Sequence, residues 1–336
     1  MMKFARTAGL GLAAALLATV AAQAGPTGYK VLQPIAGPDG GWDYLRVDAA
    51  NNRLLVAHGS SVMVVDLATK AVTPGFAPGL LLHDPLPIKH GAEVLVTNGG
   101  AAQAVFVDGK TGATLASVKT GVGPDAATFD AHSGLLLVMD HVGGEVMLID
   151  PNTHAAVGSI PVGGALEGGV ADGKGHAYVN IENKSEIAVL DLAARKTVAH
   201  YPLQGCEGPT GIAYDAADDQ LISACDGTTV LVDAKSGKVL ASLPTGAGAD
   251  GIAYDPKQKL AFVPAGDAGT LAIVKVGKGR AEIVDTVTTE PGARTIALDE
   301  RTGRVYIPSA KFGPKMATAK HGRAEPGSFH IIVVGR

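Results

Sequence analysis

The chain alternates between apolar runs of four to six residues and short clusters of Gly, Asp, Asn and Lys. No apolar run beyond the N-terminal segment follows a 3.6-residue period over a helix-sized window, so the pattern reads as a long series of β-strands. The runs recur. Asp66, Asp108, Asp150, Asp191 and Asp233 each close one, at steps of 41 or 42 residues. Gly211-Ile212-Ala213-Tyr214-Asp215 returns letter for letter as Gly251-Ile252-Ala253-Tyr254-Asp255. A period near 40 built from short strands predicts a β-propeller in which each repeat is one four-stranded blade.

A second series sets the register. Asp48, Asp130, Asp172, Asp215, Asp255 and Asp299 each end a first strand, and the gap from Asp48 to Asp130 spans two periods. The skipped blade 2 has its equivalent near Lys89, in the irregular Pro-rich stretch 83–90. Second strands follow at 54–57, 94–97, 135–139, 177–180, 221–224, 260–263 and 305–307. Seven blades result, and the last lacks a fourth strand. Residues 29–34 have the character of one, so the N-terminal segment is expected to pair with 330–334. That closure would protect the terminal edges of the ring from other chains. The expected class is all-β, one domain over residues 25–336, and a closed domain of this kind reads as a monomer.

Leu95-Val96-Thr97-Asn98, Tyr178-Val179-Asn180 and Phe262-Val263-Pro264-Ala265 resemble the Tyr-Val-Thr-Asn signature of the YVTN family of β-propellers. Gly121-Val122-Gly123-Pro124, and the Asp-x-x-Thr-x-x-Val run from Asp66 to Val72, are similar to that family as well. The similarity covers about residues 28–336. It implies an exported, seven-bladed protein like the YncE group of bacteria. It supplies no catalytic set, because the shared residues belong to strands and turns.

The N-terminus carries its own message. Lys3 and Arg6 precede an apolar segment, 9–20, and Ala22-Gln23-Ala24 has the small-x-small form of a cleavage site. Residues 1–24 thus read as a signal peptide, and the mature chain is expected in the periplasm or outside the cell, with no membrane span after cleavage. Losing Lys3 and Arg6 moves the formal charge from −4 to −6. That mildly acidic balance, with few aromatics interleaved among basic residues, argues against nucleic acid as a partner. Two cysteines, Cys206 and Cys225, flank the first hairpin of blade 5 on one face, and an exported protein allows them a disulfide.

Counting back five residues from each anchor gives Asp43, Asp125, Glu167, Thr210, Asp250 and Arg294, with Asp84 beside His83 in the shifted blade 2. These positions begin the innermost strands, where a propeller's channel opens. Carboxylates gathered there would raise one another's pKa or recruit a cation. The competing reading is structural: an Asp before a strand can accept backbone N–H groups of its turn or of the next blade. His58 and His141 end second strands on the same face, and with His83, Asp125 and Glu167 they are candidate ligands for a divalent cation.

Blade 7 departs most from the repeat. Its loop 309–328 carries Lys311, Lys315, Lys320, His321 and Arg323 against Glu325 alone, and is a candidate cover for the acidic mouth. Two functions remain open on these residues. One is a scaffold that binds a protein or a small polar or cationic ligand. The other is a metal-dependent, lactonase-like hydrolase, since Cys206-Glu207-Gly208-Pro209 faintly resembles a segment of gluconolactonase-like propellers. No G-x-S-x-G elbow, P-loop or haem motif is present.

Overall fold

A computed structural model describes residues 25–314 and 322–336. The expected signal segment therefore lies outside the described residues, as do Lys315, Lys320 and His321. The described chain forms seven antiparallel sheets arranged as the blades of a propeller, with no α-helix and three short 3-10 turns.

Blade 1 comprises Leu45–Asp48, Arg53–His58, Ser61–Asp66 and Val72–Pro78. Blade 2 comprises Leu82–Ile88, Glu93–Asn98, Gln103–Asp108 and Thr114–Lys119. Blade 3 follows with Pro124–Asp130, Leu135–Asp140, Glu145–Asp150 and Ala155–Pro161, and blade 4 with Leu166–Ala171, His176–Ile181, Glu186–Asp191 and Lys196–Pro202. Blade 5 uses Ile212–Asp215, Gln220–Ala224, Gly227–Asp233 and Val239–Gly246. Blade 6 uses Ala253–Asp255, Leu260–Ala265, Thr270–Gly277 and Arg280–Thr288. Blade 7 has only three strands from the C-terminal region, Ala297–Asp299, Arg304–Ser309 and His330–Gly335.

The fourth position of blade 7 is filled by the N-terminal segment, in two pieces. Lys30–Val31 pairs with Gly335 and Val334, and Ile35–Ala36 pairs with Ile331 and His330. Leu32 N–H donates to Val333 O between them. The pairing reaches two residues further than 29–34, and it breaks at Pro34, which has no N–H to donate. Tyr29 locks the segment down. It is buried, its ring meets Phe262 edge-on at 5.2 Å, and Arg336 lies over its face at 4.5 Å.

Second and third strands are apolar on both faces because each blade is covered by a neighbour on either side. Leu260–Ala265 is buried at every residue, whereas the outermost strand of blade 4, Lys196–Pro202, alternates exposed and half-buried. Among the described residues each blade-to-blade interface holds its own apolar cluster. Phe106 and Leu95 of blade 2, for example, pack on Leu136 and Val138 of blade 3. The repeated aspartates at strand ends are turn residues. Asp130 accepts the N–H of Ser133 at 2.8 Å, and Asp66 accepts the N–H of Thr69 at 2.7 Å.

Blade 2 replaces the anchor Asp with a left-handed turn, where Lys89 and His90 both have positive φ. Its Pro-rich first strand pairs with the second strand all the same, with a register shift between Leu82 and Pro85. Pro85 and Pro87 share one side of the strand. Asp84 N–H, one residue out of phase, donates toward blade 2 to Thr97 Oγ1 at 2.8 Å. The prolines therefore face the free inner edge, where no ladder bond is lost.

Candidate functional site

The innermost strands enclose a narrow channel, and one end of it widens into a cavity of about 450 Å3. Its wall carries Asp43, His83, Asp125, Glu167, Asp250 and Arg294, from blades 1, 2, 3, 4, 6 and 7. The seventh position belongs to Thr210 of blade 5, whose hydroxyl is turned to Ala249 O at 3.2 Å. In blade 2 the ring residue is His83 rather than Asp84. A strand's successive side chains point opposite ways, so only one of the two can join the ring.

Asp84 instead lies inside the wall, fully buried, in a two-point ion pair with Arg46. It also accepts the N–H of Ala127 from blade 3 at 2.9 Å. The structural reading of a pre-strand carboxylate is therefore right for Asp84. It does not describe the ring. Among the described residues no backbone N–H donates to Asp43, Asp125, Glu167 or Asp250.

The ring carboxylates face imidazoles and one guanidinium. His83 Nδ1 is 2.5 Å from Asp43 Oδ2 and 3.1 Å from Asp125 Oδ1. His141, at the end of the second strand of blade 3, places Nδ1 3.0 Å from Glu167 Oε1 and 3.0 Å from Leu166 O. Arg294 Nε meets Asp250 Oδ2 at 2.7 Å. That ion pair satisfies the blade 6 side and leaves the arc from blade 1 to blade 4 as the electronegative part of the mouth.

Electrostatics follow from this crowding. Burial pushes the Asp125 carboxyl well above the usual range, and Asp43, Glu167, Asp250 and Asp84 push it further. Burial also raises Asp43, against the opposing hydrogen bond from His83. Glu167 is raised by burial, again partly offset by its histidine. His141 moves up because Glu167 accepts its hydrogen bond. The mouth carboxylates thus hold a proton more tightly than isolated ones, and a bound cation would compete with it.

Two residues outside the repeated ring position complete the site. Tyr44 follows Asp43 and forms part of the cavity and of the channel below it. Its hydroxyl is buried and has no hydrogen-bond partner among the described residues. Burial raises its pKa well above the ordinary value, with Asp125, Glu167, Asp250 and Asp43 adding to the effect. Arg46, two residues on, lines the channel beneath. The signal for both was an aromatic and a cation at adjacent same-face positions of an otherwise apolar inner strand.

The remaining candidates lie elsewhere. His58 is not in the mouth: its ring stacks edge-on against Phe329 at 4.7 Å, and burial lowers its pKa. The described base of the blade 7 loop is a short ladder, with Gly313 N–H bonded to Arg323 O and Glu325 N–H to Lys311 O. Arg323 borders a neighbouring aromatic cleft with Trp42, Phe312 and Phe329 rather than the acidic cavity. Cys206 and Cys225 are joined by a disulfide, Cα to Cα 5.4 Å, in the blade 5 hairpin.

No family model and no curated protein matches the chain. Solved structures do. A chain of the Kuenenia stuttgartiensis hydrazine synthase structure aligns with a TM-score of 0.68 at 16% identity, covering 88% of this chain and 96% of that one. A chain from the crystal structure of a mitotic checkpoint complex aligns with a TM-score of 0.71 at 13% identity, covering 90% and 95%. At such identities the likeness is one of architecture alone, and the architecture is a seven-bladed β-propeller.

Proposed function

We propose that this chain is an exported propeller of the YVTN type that works as a binding scaffold, taking a positively charged ligand into the mouth of its channel. The carrying observation is the arc Asp43, His83, Asp125, Glu167 and His141, in which three carboxylates and two imidazoles converge on one open cavity without backbone donors to occupy them. A scaffold of this class suits protein interaction as well, and a basic side chain of a partner would meet the same carboxylates. The export signal read at residues 1–24 and the YVTN-like strand motifs support a role outside the cytoplasm.

Calorimetric titration with an organic dication such as putrescine, and with citrate as the anionic control, tests this reading. Binding of the dication, weakened at least about tenfold by Asp125→Asn, is the expected result. Equal affinity in the variant, or preference for citrate, would overturn it. The hydrolase reading draws on the same His and carboxylate groups. It would require turnover of a lactone that Glu167→Gln abolishes.

A further inference from the structure

The mouth contains two ligand sets that share one residue. Asp43, His83 and Asp125 present one ligand atom each, all within 4.8 Å of one another, and Asp125, His141 and Glu167 do the same. Each set pairs one imidazole with two carboxylates, a donor mixture suited to Zn2+, Mn2+ or Co2+ rather than to a soft ion. Donors 2.0–2.2 Å from a tetrahedral ion lie roughly 3.5 Å apart. The separations of 3.1 Å from His83 to Asp125 and 3.0 Å from His141 to Glu167 are close to that spacing, while Asp43, 2.5 Å from His83, would have to draw back by about 1 Å as the ion replaces the proton between them.

The geometry points to a pair of adjacent sites for divalent transition-metal ions, with Asp125 as the shared carboxylate between them. This inference rests on the cation-binding reading and specifies its chemistry. Asp125 has the position for the role. It is nearly fully buried between the two histidines and offers an oxygen to each set. A second observation is independent of the acidic cluster. The Tyr44 hydroxyl is buried beside the same cavity with no partner among the described residues, although a buried hydroxyl ordinarily has one. On the opposite wall Asp250 is already paired with Arg294, which leaves the unpaired acidic charge on the blade 1 to blade 4 side.

The test uses the full mature protein, stripped with a chelator and dialysed against Co2+ and, separately, Mn2+. Two equivalents are expected per chain, and the six-line Mn2+ resonance should collapse through spin coupling when the second equivalent binds. His83→Ala should remove one equivalent and His141→Ala the other, each variant remaining folded by circular dichroism. Asp125→Ala should weaken both by at least about tenfold. A single equivalent that survives His141→Ala would overturn the paired site. No binding of either ion would overturn the metal assignment altogether, while putrescine binding would still stand as a separate result for the cationic-ligand reading.

Discussion

Arg46 reaches from the inner strand of blade 1 to Asp84 of blade 2 through two parallel hydrogen bonds, Nε to Oδ1 at 2.8 Å and Nη2 to Oδ2 at 2.5 Å. The same guanidinium donates to Ala127 O of blade 3 at 3.1 Å. One side chain therefore ties three inner strands together just below the mouth. Asp84 is wholly buried, and among the described residues its charge is compensated by the Arg46 guanidinium and the Ala127 N–H.

Arg46→Met should be costly for this reason. It leaves a buried carboxylate unpaired, which destabilises a fold by about 3 kcal/mol or more. Asp84→Asn in the Arg46→Met background should recover part of the loss. Denaturant unfolding of the three proteins measures it, and an additive pair would show that the two residues do not act as a unit.

Asp140 gives the molecule a pH dependence. Burial pushes its carboxyl up to about 7, and the Gly121 N–H at 2.9 Å only partly opposes this. Its Oδ1 has no hydrogen-bond partner among the described residues. The folded pKa lies above the unfolded value of about 3.9, so the folded state holds the proton more tightly. Stability from this group accordingly falls as pH rises from about 4 to 7. Asp140→Asn should flatten that slope and be more stable than the parent at pH 8, on the order of 2 kcal/mol. Melting curves at pH 5 and pH 8 decide it: an unchanged difference between the two conditions contradicts the assignment.

Ring closure depends on Tyr29. Truncating this buried ring against Phe262 should cost about 3 kcal/mol and should loosen the Lys30–Val31 pairing with His330–Gly335. Hydrogen exchange of Val334 and Leu32 reports the second effect separately from global stability. Protection unchanged in Tyr29→Ala would mean that the strand holds without its anchor.

The Cys206–Cys225 disulfide closes a segment with a sequence separation of 19. In the chain-entropy account such a loop contributes about 3 kcal/mol. A Cys206→Ser/Cys225→Ser protein should melt lower by a corresponding amount, with the blade 5 hairpin exchanging first. Equal melting temperatures would place the stabilisation elsewhere.

Much of the fold was legible because its determinants are local. The strand runs, the Asp-capped turns at Asp66 and Asp130 and the missing fourth strand of blade 7 are all written in short segments, where turn chemistry and alternation act between near neighbours. The period also located the ring positions Asp43, Asp125, Glu167, Asp250 and Arg294. It faltered where the repeat is broken. Blade 2 lacks its anchor, so the choice between His83 and Asp84 turned on strand phase, and a shift of one residue exchanges the two faces.

The sequence by itself determined seven blades, their order and the chain of aspartates, since each blade is specified by its own forty residues. Only the tertiary structure decided what the mouth contains. His83 meets Asp125, His141 meets Glu167, and Tyr44 lies among four carboxylates of four blades because the ring closes and brings their inner strands together. The close approach is itself a property of the assembled ring: a Cβ at Gly211 would sit 2.6 Å from the backbone of Gly251 in the next blade. Such contacts join residues of different blades, from 26 positions apart for His141 and Glu167 upward, and no local pattern encodes which side chains will meet across the axis once the blades are packed.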